Sequence, residues 1–135
     1  MRIEGGCHCG YITYEAEIDP DTVGICHCTD CQILSGSAFR TVVRARKDAF
    51  KLLTGQPKIY VKTAESGNKR AQAFCPECGT SIYAADVSNP QVFGIRVGTA
   101  HQRAELQPKR QGWCRSAQAW VMDLKSITQI SKQPL

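Results

Sequence analysis

The sequence predicts an all-β domain, mainly β with short helical turns, pinned by metal. Three observations carry that expectation. Apolar residues recur mostly with a period of two. Turn-forming clusters such as Asp19-Pro20-Asp21, Ser35-Gly36 and Ser66-Gly67-Asn68 break the alternating runs. Seven of the eight cysteines fall into three tight groups. No linker, repeat or low-complexity run divides the 135 residues, so a single domain over residues 1–135 with a modest core is expected.

The elements follow in order. From Tyr11 to Ile18, Ile12, Tyr14, Ala16 and Ile18 face one way and Tyr11, Thr13, Glu15 and Glu17 the other, a half-buried strand. Val23 to Ile25 form a short strand that delivers Cys26. Thr29 and Asp30 are good helix N-caps, so one or two helical turns are expected from Thr29 to about Leu34, stopped at Ser35-Gly36. A helix start beside Cys28 and Cys31 favours their thiolates. Ala38 to Arg46 is a strand with Phe39, Thr41, Val43 and Ala45 on one face and Arg40, Arg44 and Arg46 on the wet face. Ile59 to Thr63 and Ala71 to Phe74 flank Gly67-Asn68 and read as a hairpin. Thr80 to Ala84, Val92 to Val97 and Ala117 to Met122 complete the strands, and His101 to Gly112 is polar and irregular.

Lys and Arg number 17 and Asp and Glu 12, a formal charge of +5. If seven thiolates hold two divalent zinc ions, seven charges are lost and four regained, so the balance drops to about +2. No dense basic block with interleaved aromatics is present, which argues against a nucleic-acid partner. No apolar run is long enough to span a membrane. The chain starts Met1-Arg2-Ile3 and reaches a thiol at Cys7, so no leader peptide is expected. Cys-x-Cys pairs suit metal better than disulfides, and reduced thiols point to the cytoplasm.

Cys26-His27-Cys28-Thr29-Asp30-Cys31 places three thiols within six residues. Phe74-Cys75-Pro76-Glu77-Cys78-Gly79 has the form of a zinc knuckle and supplies two ligands. Gly6-Cys7-His8-Cys9-Gly10 offers a second pair, whose side chains point to one side of an extended chain. The economical partition is a closed zinc held by Cys7, Cys9, Cys75 and Cys78, with Cys26, Cys28 and Cys31 left as an open site. A swap in which Cys26 and Cys28 close the knuckle would leave Cys7, Cys9 and Cys31 dispersed. A closed structural zinc takes four ligands, whereas a catalytic one commonly keeps a position open.

These motifs, with Gln32 and Ser35-Gly36-Ser37-Ala38-Phe39, resemble the glutathione-dependent formaldehyde-activating enzyme family, which includes centromere protein V. The likeness runs from about Cys7 to Ile95, with a weaker trace at Ala119-Trp120. It implies a β-tent fold similar to that of Rab-interacting zinc modules. It also implies a structural zinc on Cys7, Cys9, Cys75 and Cys78 and a catalytic zinc on Cys26, Cys28 and Cys31. The implied activity is that of a carbon–sulfur lyase interconverting S-hydroxymethylglutathione with glutathione and formaldehyde, or acting on a related thiol adduct. The competing class is a non-catalytic binding or adaptor module in which both ions only hold the fold.

Glutathione is acidic, so Arg40, Arg44, Lys69 and Arg70 are the expected contacts for its carboxylates, with an aldehyde as the other partner. The plainer reading of Arg40, Arg44 and Arg46 is solvent exposure. Alternation turns His8 and His27 away from the metal. His101 sits in a polar stretch with no role. Gln32 and Ser35 stand close enough to the third thiol to reach substrate. Trp113 and Trp120 are expected in the core, and Cys114 is the odd, free thiol. A monomer or a homodimer is compatible with the sequence.

Overall fold

Ten strands and one short helix are present in the computed structural model, which describes residues 1–133. In chain order they are β1 (Arg2–Gly6), β2 (Thr13–Glu17), β3 (Gly24–Cys26), α1 (Thr29–Ser35), β4 (Arg40–Arg46) and β5 (Phe50–Thr54). There follow β6 (Lys58–Thr63), β7 (Lys69–Phe74), β8 (Ser81–Asp86), β9 (Val92–Arg96) and β10 (Arg110–Gly112). A three-stranded sheet runs β1-β2-β5, and a seven-stranded sheet runs β10-β3-β4-β9-β8-β7-β6. Every neighbouring pair is antiparallel except β10 and β3. The mainly β expectation holds.

Alternation explains the core. Ile12, Tyr14, Ala16 and Ile18 are all buried, as are Val43 and Ala45 on β4. They join Ile3, Ile82, Ile95 and Leu106 in one cluster that draws on both sheets. Each fully buried isoleucine contributes about 1.5–3 kcal/mol relative to exposure. An aromatic bridge reinforces the junction. Phe50 of β5 lies 5.7 Å from Tyr14, 5.3 Å from Tyr83 and 4.9 Å from Phe93, measured between ring centroids. The Tyr14 hydroxyl shares a 2.9 Å hydrogen bond with Thr99. Gly5 permits this approach, because a β-carbon there would strike the Thr99 carbonyl and the Tyr14 ring.

Several sequence expectations change. β1 and β5 lie where no strand was expected, and β10 emerges from the stretch read as irregular. Ala117 to Met122 is not a strand. A 3-10 turn covers Ala119–Met122, and the Val121 amide donates locally to the Gln118 carbonyl at 3.1 Å instead of to a neighbouring strand. Trp113 and Trp120 are 46% and 52% exposed, so neither is core. The apolar residues of that segment run consecutively, and only Val121 is buried. The helix starts at Thr29 as expected, but its N-cap is the Cys28 sulfur. It ends at Gly36, whose φ of 64° suits a residue without a β-carbon. Arg40 is buried instead of lying on a wet face, while Arg44 and Arg46 are exposed.

Candidate metal centres and the cationic cleft

Two turns from different sheets meet at the first cysteine group. Cys7 and Cys9 lie in the β1–β2 connection, and Cys75 and Cys78 in the β7–β8 connection. Their four sulfurs lie within 4.8 Å of one another. The Cys7–Cys9 and Cys9–Cys75 sulfur separations are 3.6 and 3.8 Å. Sulfurs at 2.3 Å from a tetrahedral zinc sit about 3.8 Å apart, so the donor set fits that ion. Backbone amides already face the sulfurs. Ile12 N–H donates to Cys7 Sγ at 3.2 Å and Glu77 N–H to Cys75 Sγ at 3.4 Å. Gly79, with φ of 79°, completes the knuckle turn, and its amide donates to the Cys75 carbonyl at 2.8 Å.

Cys26 ends β3, Cys28 caps α1 and Cys31 lies in its first turn. These three sulfurs also lie within 4.8 Å of one another. Cys31 N–H donates to Cys28 Sγ at 3.3 Å. Among the described residues no fourth His, Cys, Asp or Glu joins this group. Cys114 is exposed and stands outside it, 3.8 Å from the Gln111 carbonyl.

Sulfurs packed this closely cannot all ionise by themselves. Burial and the Cys28 sulfur push the Cys31 thiol up to about 12. Burial also opposes ionisation of Cys28, but hydrogen bonds from Cys31 and the charge of Lys62 outweigh it and lower its pKa. The other group divides in the same way. Hydrogen bonds from the Thr80 hydroxyl and amide bring Cys78 down to about 5. The Tyr11 amide favours the Cys9 thiolate, yet burial and the neighbouring sulfurs push it up to about 12. A divalent cation resolves both conflicts by letting every sulfur ionise, so both groups are chemically suited to one.

The histidines between paired cysteines point elsewhere. His27 is fully buried, its Nε2 lies 2.7 Å from Gln111 Oε1, and its ring meets Phe39 edge-on. His8 and His101 are exposed. Gln32 does not face substrate space. Its amide nitrogen donates to the carbonyls of His27 (2.8 Å) and Ser116 (3.0 Å), and its oxygen accepts from Gln118 at 2.7 Å. Gln32 thereby fastens the segment after β10 to α1. Ser35 is exposed at the end of α1, its hydroxyl 3.4 Å from the Gln32 carbonyl.

The three-thiol group opens into a cavity of about 740 Å³, and Cys7 of the four-thiol group lines a smaller one of about 410 Å³. The wall of the larger carries six cations: Arg40, Arg44, Lys62, Arg70, Arg96 and Arg110. Lys62 pairs with Asp30 at 2.9 Å and Arg70 with Asp86 at 2.8 Å. The other four have no carboxylate partner among the described residues. Three of the four expected glutathione contacts therefore line the cavity. Lys69 does not, because strand alternation sends it to the opposite face of β7 from Arg70. Lys62, Arg96 and Arg110 were missed. Burial, then the Arg40 charge, pulls Arg96 down to about 9.

A mainly β protein with two cysteine groups suited to metal, one of them opening into a cationic cleft, is the class that fold and site define. The family model of the glutathione-dependent formaldehyde-activating enzyme matches residues 2–116, and the chain belongs to that family. It is similar to an uncharacterized lyase of Schizosaccharomyces pombe, with 29% identity over 92 residues. That match covers 68% of this chain and spans 64% of the length of the yeast protein. A crystal structure of a Rhodobacter sphaeroides protein has a similar fold, with a TM-score of 0.61 and 20% identity over 80% of this chain and 98% of that one. Among the described residues no helix is long and apolar enough to cross a membrane.

Proposed function

We propose that the chain is a single-domain, zinc-dependent carbon–sulfur lyase. It interconverts S-hydroxymethylglutathione with glutathione and formaldehyde, or acts on a related thiol adduct. Cys7, Cys9, Cys75 and Cys78 hold a structural zinc, and Cys26, Cys28 and Cys31 hold a catalytic one. The observation that carries this reading is the inequality of the two groups: four sulfurs in one, three in the other, with all three of the latter lining the larger, cation-walled cavity while only Cys7 of the former lines a smaller one. Held by Cys26, Cys28 and Cys31, a zinc ion would supply Lewis acidity toward the sulfur of an incoming thiol.

The chain's own residues then bind and orient. Cys26 is fixed by β3, and Cys28 and Cys31 by the first turn of α1, so the donor atoms are held by secondary structure. Arg44 and Arg110, exposed at the mouth, and Arg70 on β7 attract the carboxylates of an acidic thiol. In the splitting direction the carbon–sulfur electron pair leaves with sulfur while the adduct hydroxyl loses its proton and becomes the carbonyl. The cytoplasm, where thiols stay reduced, suits this chemistry.

The test is exchange of isotope label between free glutathione and its hydroxymethyl adduct. Wild-type protein accelerates the exchange and Cys31→Ser does not; equal rates in the two proteins overturn the reading. The adaptor-module alternative needs a fourth side-chain ligand at the second site, and none of the described residues offers one.

A further inference from the structure

We propose that Arg40, Arg96 and Gln72 form a carboxylate subsite beside the three-thiol group, and that the carbonyl partner it selects is a small 2-oxo acid rather than formaldehyde. The subsite rests on geometry; its assignment to the carbonyl partner rests on the lyase reading above. Arg40 lies opposite Cys26 in the β3–β4 register, and Arg96 lies opposite Val42, two residues further along β4 on the same face. Both residues are buried, 8% and 9% exposed. Both donate to one neutral acceptor, Gln72 Oε1, at 3.4 and 2.7 Å. Arg96 Nη1 reaches the Gly94 carbonyl at 3.4 Å, and its Nε is buried with no partner. Ala84 and Gly94 line the same cavity with little side chain, which leaves room in front of the pair.

A buried charge without a counter-charge is costly. Three thiolates around a divalent ion carry one net negative charge, which offsets one guanidinium and leaves the other unmatched. Two adjacent planar forks with unused donors suit a carboxylate, which takes parallel hydrogen bonds from guanidinium. The carboxylates of a tripeptide thiol lie away from its sulfur and are served by Arg44 and Arg110 at the mouth. The inner pair adjoins the sulfurs, so it serves a carboxylate attached to the reacting carbon. Formaldehyde carries no such group; glyoxylate does. In the step, the thiol sulfur bonds to the aldehyde carbon, the carbonyl π pair moves to oxygen, and that oxygen gains the proton the thiol gives up. The reverse breaks the same bond, with no net oxidation.

The experiment compares glyoxylate with glycolaldehyde, a neutral aldehyde of similar size, in glutathione exchange measured by NMR on zinc-loaded protein. Wild type should favour glyoxylate in kcat/KM by about tenfold or more. Arg96→Gln should bring that ratio to near unity, Arg96→Lys should restore part of it, and Arg40→Gln should act in the same direction if Arg96→Gln does not fold. Calorimetry with glyoxylate alone should show binding that is lost in Arg96→Gln at unchanged zinc content. Equal use of the two aldehydes by wild type, or a preference that survives these substitutions, overturns the assignment. If neither aldehyde exchanges while glyoxylate still binds through Arg96, the lyase reading falls and the subsite stands. If glyoxylate does not bind either, both fall.

Discussion

The two thiol groups use the same donor atom and differ in what surrounds it. The four-thiol group joins the turns of two sheets, and its nearest helpers are amides and the Thr80 hydroxyl. The three-thiol group sits at the end of one strand and the start of one helix, and its neighbours are guanidiniums and open space. A set of four sulfurs matches the full coordination of a tetrahedral ion and suits a structural role. One that stops at three and faces unmatched positive charge is arranged to receive an anion. The difference lies less in the cysteines than in what the sheet order brings against them.

The strongest way to break this comparison is Cys78→Ala. A structural zinc supplies on the order of 10–16 kcal/mol, comparable to the whole stability of a domain of this size, about 5–15 kcal/mol. Little folded protein is expected by circular dichroism, and a well-folded, zinc-depleted variant would remove the structural role. Cys31→Ser should instead keep the far-ultraviolet spectrum, bind one zinc ion per chain fewer than wild type does, and slow exchange by on the order of 100-fold. Metal analysis alongside the exchange assay checks both points.

Arg44→Ala sharpens the comparison at the mouth of the cleft. The KM for glutathione should rise by about three- to tenfold at low salt with kcat nearly unchanged, and the difference should shrink as salt screens an exposed charge. Asp86→Asn should do least. Hydrogen bonds from Arg70 and Asn68 hold the Asp86 carboxyl below the usual carboxylate range. A depressed carboxylate adds stability above its ordinary pKa and loses it as pH falls through the lowered folded value. The stability difference between wild type and Asp86→Asn, read by urea denaturation, should therefore be small at neutral pH and vanish toward acid. The same substitution frees Arg70 and should lower the KM by no more than about twofold.

Much of the ladder was legible because burial on one face imposes alternation. Ile12, Tyr14, Ala16 and Ile18 announced β2, and Gly67-Asn68 announced the β6–β7 hairpin. β1 was hidden by Gly5 and Gly6, which weaken a strand signal yet are needed where Tyr14 and Thr99 press on Gly5 and the Ile12 carbonyl presses on Gly6. β10, only Arg110-Gln111-Gly112, has no apolar residue; it is a strand because β3 offers its edge. The thiol groups could be read because their members are close in sequence. The cation wall could not, since it depends on β4, β9, β8, β7 and β6 lying side by side. Arg96 looked like one more polar residue in a strand until that order placed it against Arg40 and Gln72. Lys69 and Arg70 were indistinguishable from sequence, and the pleat separates them.

The four-thiol group also constrains how the protein is made. Cys9 and Cys75 are 66 positions apart, so a long stretch of chain must leave the ribosome before the first pair of sulfurs can meet the second. Until then Cys7 and Cys9 are an unfinished chelate at the end of a nascent strand, open to oxidation or to the wrong ion. With a metal on these four sulfurs, as proposed, maturation would be coupled to the supply of that metal at the moment the second knuckle emerges, and starvation for it should leave newly synthesised chains, not finished ones, as the vulnerable pool.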